Sequence, residues 1–455
     1  MSSTRRRFIK SGLGAAASIA HLRAPAAASQ PLPANKRLGS IQNNDINNIL
    51  WTSSGKAITP DEYREAVGHL LDGKPNVLAQ NVGMPDPVIY RSKVATTWDK
   101  HLVEVSLMTR PKEDPERIKS DAARQADAMA QLRDYGTDPL ALTVEMCRRR
   151  GRLIVASYRM NAEDSYQNTW KLSDFGRAHP DWRIAGAGCL DPAIPGVYDH
   201  RLKIFSEVAE SYDIDGIEFD FRRWTRMISN PLENHPILTR MVRETRQMLD
   251  ETAQAKGRKR LLLGVRVGPS LADPPGTEYP GGKASTDLSC KELGLDVRTW
   301  IREGWVDYVC PSLFWPRLPG LPKTAEFAEL ARNKEVGIYP TVFPLPGWAE
   351  EEISIPDLSA KAVKEMMQRH RDEICNAALK CYEEGADGIS TFNWSGHCLY
   401  SPRVKQVGPS QTRYEESLPY MQTELFVHQY LSSAEALREC LEKEPQVTLE
   451  CEWPT

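Results

Sequence analysis

The stretch "DIDGIEFDFRRW", residues 213–224, sets four carboxylates into an apolar run and ends in two arginines and a tryptophan. On a strand, residues two apart share a face, so Gly216, Glu218, Asp220 and Arg222 lie on one side and Ile217, Phe219 and Phe221 on the other. An ionised carboxylate taken out of water is costly unless a partner compensates it. Glu218 and Asp220 therefore read as the lining of a polar pocket, with Asp220 nearer its mouth. One carboxyl group kept ionised by a cation beside another kept protonated by an apolar wall is equipment for acid–base catalysis. The same pair can also be an internal ion-pair network without chemistry.

Other polar residues fall late in strand-like runs. Arg159 and Asn161 close one such run, Asp191 another, Arg266 and Ser312 sit late on two more, and Asn393 and His397 stand at and after the last. Glu163 and Asp191 are candidates for an opposing carboxylate, and Arg159 or Arg266 for holding one ionised. Trp224, Trp315, Trp348 and Trp394 follow strand ends in sequence, with Tyr158 near another. Flat aromatic faces with a few directed polar groups suit a carbohydrate site. His179, His200 and His397 form no H-x-x-x-H spacing, and no metal or cofactor is expected.

Eight apolar runs would carry these residues: 75–83, 152–161, 183–191, 214–221, 260–268, 306–315, 336–343 and 386–394. Helix-period segments fill most gaps, at 195–212, 237–255, 324–333 and 358–384, and Pro195 suits a first helical turn. Eight strands alternating with helices predict a parallel (β/α)8 TIM barrel, whose chemistry sits at the carboxyl ends of the strands. The domain expectation is a leader over 1–28, a linker over 29–48, the barrel over 49–430 and a peripheral tail over 431–455. Residues 84–116 read as an insertion, with "LVEVSLMTR" forming a hairpin or a loop over the mouth. Between 171 and 184 the sequence reads as loop and short turns.

The N-terminus carries an address. "TRRRFIK" (Thr4–Lys10) precedes the mild apolar run "SGLGAAASIA" and small residues at Ala26–Ala28, which resembles a twin-arginine export leader with Arg5 and Arg6 as the pair. The expectation is engagement of the twin-arginine translocase, a mature chain beginning near Ser29, and a periplasmic or secreted location in a bacterium. That run is too short and too rich in Gly and Ala for a permanent membrane span. A formal charge of −3 gives no reason to expect nucleic acid. Nine scattered cysteines argue against a zinc site or a disulfide scaffold.

"SYRMNAED" (157–164), "HPDWRI" (179–184), "LDPAIPGVYDHRL" (190–202), "YDIDGIEFDFRRW" (212–224) and "GADGISTFNW" (385–394) resemble, in order, the family 10-like glycosyl hydrolases, a group distinct from the family 10 xylanases. The resemblance covers most of 43–397 and implies a (β/α)8 barrel acting on carbohydrate. "DGIEFDF" is also similar to the D-G-x-D-x-D-x-E motif of chitinase-type family 18 enzymes, but Arg222 stands where that family has its acid glutamate. With the leader, the expectation is an exported glycoside hydrolase; strand parity makes Asp220 one catalytic carboxylate, with Glu218 as its partner or orienting residue. Arg159, Asn161, Asp191, Trp224, Arg266, Trp315, Asn393, Trp394 and His397 would bind substrate. The alternatives are a non-catalytic carbohydrate-binding barrel and a sugar elimination or epimerisation enzyme; the strand ends supply no lysine for the last.

Overall fold

The computed structural model describes residues 38–45, 49–50, 58–109, 114–161, 168–222, 226–272, 288–313, 320–342, 360–393 and 423–445. Its centre is one sheet of parallel strands: β1 (Ser40–Asn44), β2 (Val77–Gly83), β3 (Leu153–Arg159), β4 (Gly216–Asp220), β5 (Leu262–Val267), β6 (Tyr308–Pro311), β7 (Gly337–Ile338), β8 (Thr341–Val342) and β9 (Ile389–Phe392). The strand order is β7-β6-β5-β4-β3-β2-β1-β9-β8. β7 and β8 are halves of one strand, split where Pro340 has no N–H to give to a ladder. β7 pairs with β6 and β8 with β9, so the sheet closes on itself. Across the break the Pro340 carbonyl accepts from Ser390 N–H at 3.0 Å and the Ile338 carbonyl from Asp387 N–H at 2.9 Å. The fold is a (β/α)8 TIM barrel.

Helices stand between successive strands: α1 (Pro60–Leu71), α2 (Leu102–Thr109), α3 (Pro115–Asp134), α4 (Pro139–Arg149), α5 (Asp174–Ala178), α6 (Pro195–Ser211), α7 (Pro231–Ala255), α8 (Val297–Arg302), α9 (Thr324–Ala331) and α10 (Ala360–Glu383). α11 (Ala434–Glu442) follows β9. Local chemistry fixes their starts. α1, α3, α4, α6 and α7 each carry proline in the first turn, where its missing N–H is no loss. Thr59 and Glu62 close a reciprocal capping box on α1, and the Asp138 carboxylate caps α4.

At the bottom of the barrel alternate strands share one device. Immediately before β2, β4 and β6, and two residues before β9, a side-chain oxygen accepts the N–H of the preceding strand. Asn76 takes Ser40 N–H at 3.0 Å, Asp215 takes Ile154 at 2.8 Å, Asp307 takes Leu263 at 2.7 Å and Asp387 takes Ile338 at 3.0 Å. Arg148 and Arg258 clamp Asp215, and Arg246 and Arg260 clamp Asp307. These carboxylates fasten strand starts, so the acidic residues of 213–220 divide into structural ones at the base and Glu218 and Asp220 above. Inside, Ile41, Val77, Ala79, Val155, Leu262 and Tyr339 plug the lower lumen, while Ile217, Phe219 and Phe221 face the helices.

Four expectations are corrected. The linker expected over 29–48 contains β1: Ser40–Asn44 is polar in type apart from Ile41 but wholly buried, and Asn44 spends its amide on Gln80 at 2.8 Å. The strand expected at 183–191 is a loop closed by an antiparallel bridge between Arg183 and Leu190, whose Ile184, Ala187 and Cys189 form a small apolar cluster. Residues 102–109 form α2, which packs on α3, and not a hairpin. The segment after 431 is not peripheral through Glu442, because Leu431, Leu437 and Cys440 are buried with α10 residues Ile374, Cys375 and Ala378. The short turns expected before 184 are present as a 3-10 turn at Thr169–Leu172 and as α5.

Candidate active site at the barrel mouth

Strand parity holds along β4. Glu218 and Asp220 point into the lumen and are both 0% exposed. Glu218 occupies the middle layer. Its Oε1 accepts from Asn43 Nδ2 at 2.6 Å and Ser157 Oγ at 2.8 Å, and its Oε2 accepts from the Tyr308 hydroxyl at 3.0 Å. Burial first, and the Asp220 charge second, raise its pKa from 4.5 to about 7. Tyr308 reaches it only because residue 264 is glycine, where a Cβ would overlap the Tyr308 ring.

Asp220 lies one layer higher, where the arginines gather. Arg266 Nη1 meets its two oxygens at 3.2 and 3.0 Å, while Nη2 donates to Ser312 Oγ at 3.0 Å. The Arg266 guanidinium also sits 4.1 Å from the centre of the Phe392 ring. Arg222 bends back into the wall: its backbone N–H donates to Asp220 Oδ1 at 2.9 Å and its Nε to the Ser312 carbonyl at 2.5 Å. The arginine at the family 18 acid position thus serves as scaffold for Asp220.

A second carboxylate comes from the end of β1. Asp45 forms an ion pair with Arg159 and accepts from Asn393 Nδ2 at 3.0 Å, while Asn393 Oδ1 takes Asp45 N–H at 2.9 Å. Asn393 holds a left-handed backbone, φ 55°, which asparagine tolerates better than most residues. Asn81 on β2 and Asn161 just past β3 are buried, and neither side-chain amide has a hydrogen-bond partner. A buried amide without a partner is a group waiting for water or a ligand.

The remaining candidates separate. Asp191 lies in the loop before α6 and spends Oδ1 on the N–H groups of Ala193 and Ser229, a structural use. Tyr158 faces outward from β3, its hydroxyl 2.6 Å from that of Tyr90 and its ring against Phe205, so it does not line the mouth. His179 stacks on Trp182, and His200 pairs with Asp86. Glu163, Trp224, Trp315, Trp348, Trp394 and His397 lie outside the described residues. Sequence reasoning missed Asp45, Asn43, Asn81, Ser157, Tyr308 and Phe392; parity applied to "SIQNND" would have found Asn43 and Asp45. Among the described residues, no group of three His, Cys, Asp or Glu side chains is arranged to hold a metal, and no helix is long and apolar enough to cross a membrane.

The chain is similar to glycosyl hydrolase DigH of Escherichia coli K12, 26% identical over 213 residues, covering 40% of this chain and 47% of that one. It is also similar to glycosyl hydrolase YngK of Bacillus subtilis, 25% identical over 211 residues, covering 41% of this chain and 40% of that one. The chain thus spans less than half the length of these curated relatives. No family model matches. Solved structures similar to it include an alpha-L-fucosidase from Paenibacillus thiaminolyticus, with TM-score 0.41 and 11% identity, covering 86% of this chain and 49% of that one. A family 18 chitinase from Cycas revoluta in complex with allosamidin gives TM-score 0.40 and 9% identity, covering 86% and 99%.

Proposed function

We propose that the protein is a glycoside hydrolase that cleaves O-glycosidic bonds of an oligosaccharide or polysaccharide at the C-terminal mouth of its barrel. The observation that carries this reading is the stacked pair at β4: Asp220 gripped by Arg266, directly above a Glu218 whose pKa stands near neutrality. A glycosidase needs two carboxyl groups flanking the scissile bond. In this reading Asp220 is one and Asp45 the other, supplied from the ends of β4 and β1. Glu218 has both oxygens engaged by Asn43, Ser157 and Tyr308, so it sets the field beneath Asp220 rather than touching substrate.

Asn81, Asn161 and Asn393 would take sugar hydroxyls, with Arg159 orienting Asp45. Trp224, Trp315, Trp394 and His397, which follow β4, β6 and β9 in sequence, are the candidates for stacking on sugar rings. Similarity to two proteins named glycosyl hydrolase supports the class of reaction. The twin-arginine motif supports export to the periplasm or beyond. N-terminal sequencing of the protein recovered outside the cytoplasm tests that part, with Ser29 as the expected first residue.

A second reading, a carbohydrate-binding barrel without turnover, is favoured by one observation: Arg222 replaces the acid glutamate and is spent on the barrel wall. Comparing the native chain with Asp220→Asn separates the two. An enzyme loses sugar release while keeping its ligand, and a binder shows no release in either form.

A further inference from the structure

The carboxyl-end rim holds a second cluster beside β2 and β3 that the reading above does not use. The segments that follow these strands, together with the first turns of α6, enclose a partly open cavity of about 20 Å³, lined among others by Asp86, Trp170, Ser173, His200 and Arg201. That is room for one or two water-sized atoms. Arg201 is 5% exposed; its Nη2 donates to the Leu190 carbonyl at 3.0 Å and its Nη1 has no partner. The Trp170 indole N–H is likewise buried and without a partner.

Among the described residues no carboxylate forms an ion pair with Arg201, and Asp191 offsets its burial only in part. Asp86 accepts from Thr96 N–H at 3.0 Å, Ser173 Oγ at 2.7 Å and His200 Nε2 at 2.8 Å, and Asp191 Oδ1 is taken by backbone N–H groups. Burial accordingly pushes the Arg201 guanidinium down to about 10. A guanidinium stays charged in proteins, so the cost of burying it persists until an anion arrives.

We propose that this cavity is a subsite for the carboxylate of an acidic saccharide, its oxygens taking Arg201 Nη1 and the Trp170 N–H. A singly charged planar group suits two donors standing beside Asp86, whose charge repels a dianion such as phosphate. The choice of a saccharide rests on the hydrolase reading, whereas the carboxylate rests on Arg201 and Trp170 alone.

The test is calorimetric titration of the full chain with D-glucuronate and with D-glucose as the neutral control. Saturable glucuronate binding is expected, about 10- to 100-fold weaker in Arg201→Met and less weakened in Arg201→Lys and Trp170→Phe. Acetate should displace glucuronate and phosphate should not. Equal binding by glucose, unchanged affinity in Arg201→Met, or no saturable glucuronate binding would each overturn the proposal. If Arg201→Met does not fold, Arg201→Lys and Trp170→Phe decide. The readout needs no turnover, so a failed search for a glycan substrate counts against the hydrolase reading alone.

Discussion

Glu218 makes a quantitative prediction about stability against pH. Its pKa is about 7 in the folded chain, raised mainly by burial from an ordinary 4.5. Between those values the folded protein keeps a proton that the unfolded chain releases. Stability therefore falls as pH rises through this window, the opposite of an ordinary ion-paired carboxylate. A difference of about 2.5, at ~1.36 kcal/mol each, amounts to about 3 kcal/mol. Glu218→Gln keeps the shape and the acceptor for Asn43 and Ser157 but removes the titration. Urea unfolding of both proteins at pH 4.5 and pH 8 isolates the effect, because titrating groups that do not interact with Glu218 cancel in the double difference. The variant should gain about 3 kcal/mol relative to the native chain on going from pH 4.5 to pH 8. A double difference near zero, or one of opposite sign, would refute the claim that a protonated carboxyl group sits in the barrel's middle layer.

Three further outcomes follow from the same contacts. Asp220→Asn leaves the Arg266 cation buried without its carboxylate and should cost about 3–5 kcal/mol by urea melt, with Asp220→Asn/Arg266→Met recovering most of that loss. Gly264→Ala drives a methyl group into the Tyr308 ring and should cost about 1–3 kcal/mol, displacing the hydroxyl from Glu218. Tyr308→Phe removes a donor to the Glu218 carboxylate and should move its titration above pH 7, read by carbon NMR of the labelled carboxyl group.

The barrel was legible from the alternation of apolar runs and helical stripes, and the parity of β4 from "GIEFD" itself. Two strand assignments failed in opposite directions. β1 reads as linker in the sequence because every residue of Ser40–Asn44 except Ile41 is polar, although all five are buried. Residues 183–191 read as a strand because Ile184, Ala187 and Cys189 are apolar, although they pack as a loop. The two errors cancel in the count, so β4 keeps its place. The expected cations were the right residue types, but their partners were not readable: Arg159 serves Asp45 across the lumen, a pairing of residues 114 positions apart that periodicity cannot reveal. Asp191 looked like a strand-end acid only while its segment was taken as a strand.

The central claim is hydrolysis at the mouth through Asp220. Its most direct test incubates the native protein and Asp220→Asn with a panel of polysaccharides and oligosaccharides, with the folded state of each checked by circular dichroism. Mass spectrometry then reads the released sugars. The account predicts release from at least one glycan by the native protein and none by the folded variant. Equal release by both, or binding of a glycan by the native protein without any cleavage, would contradict it.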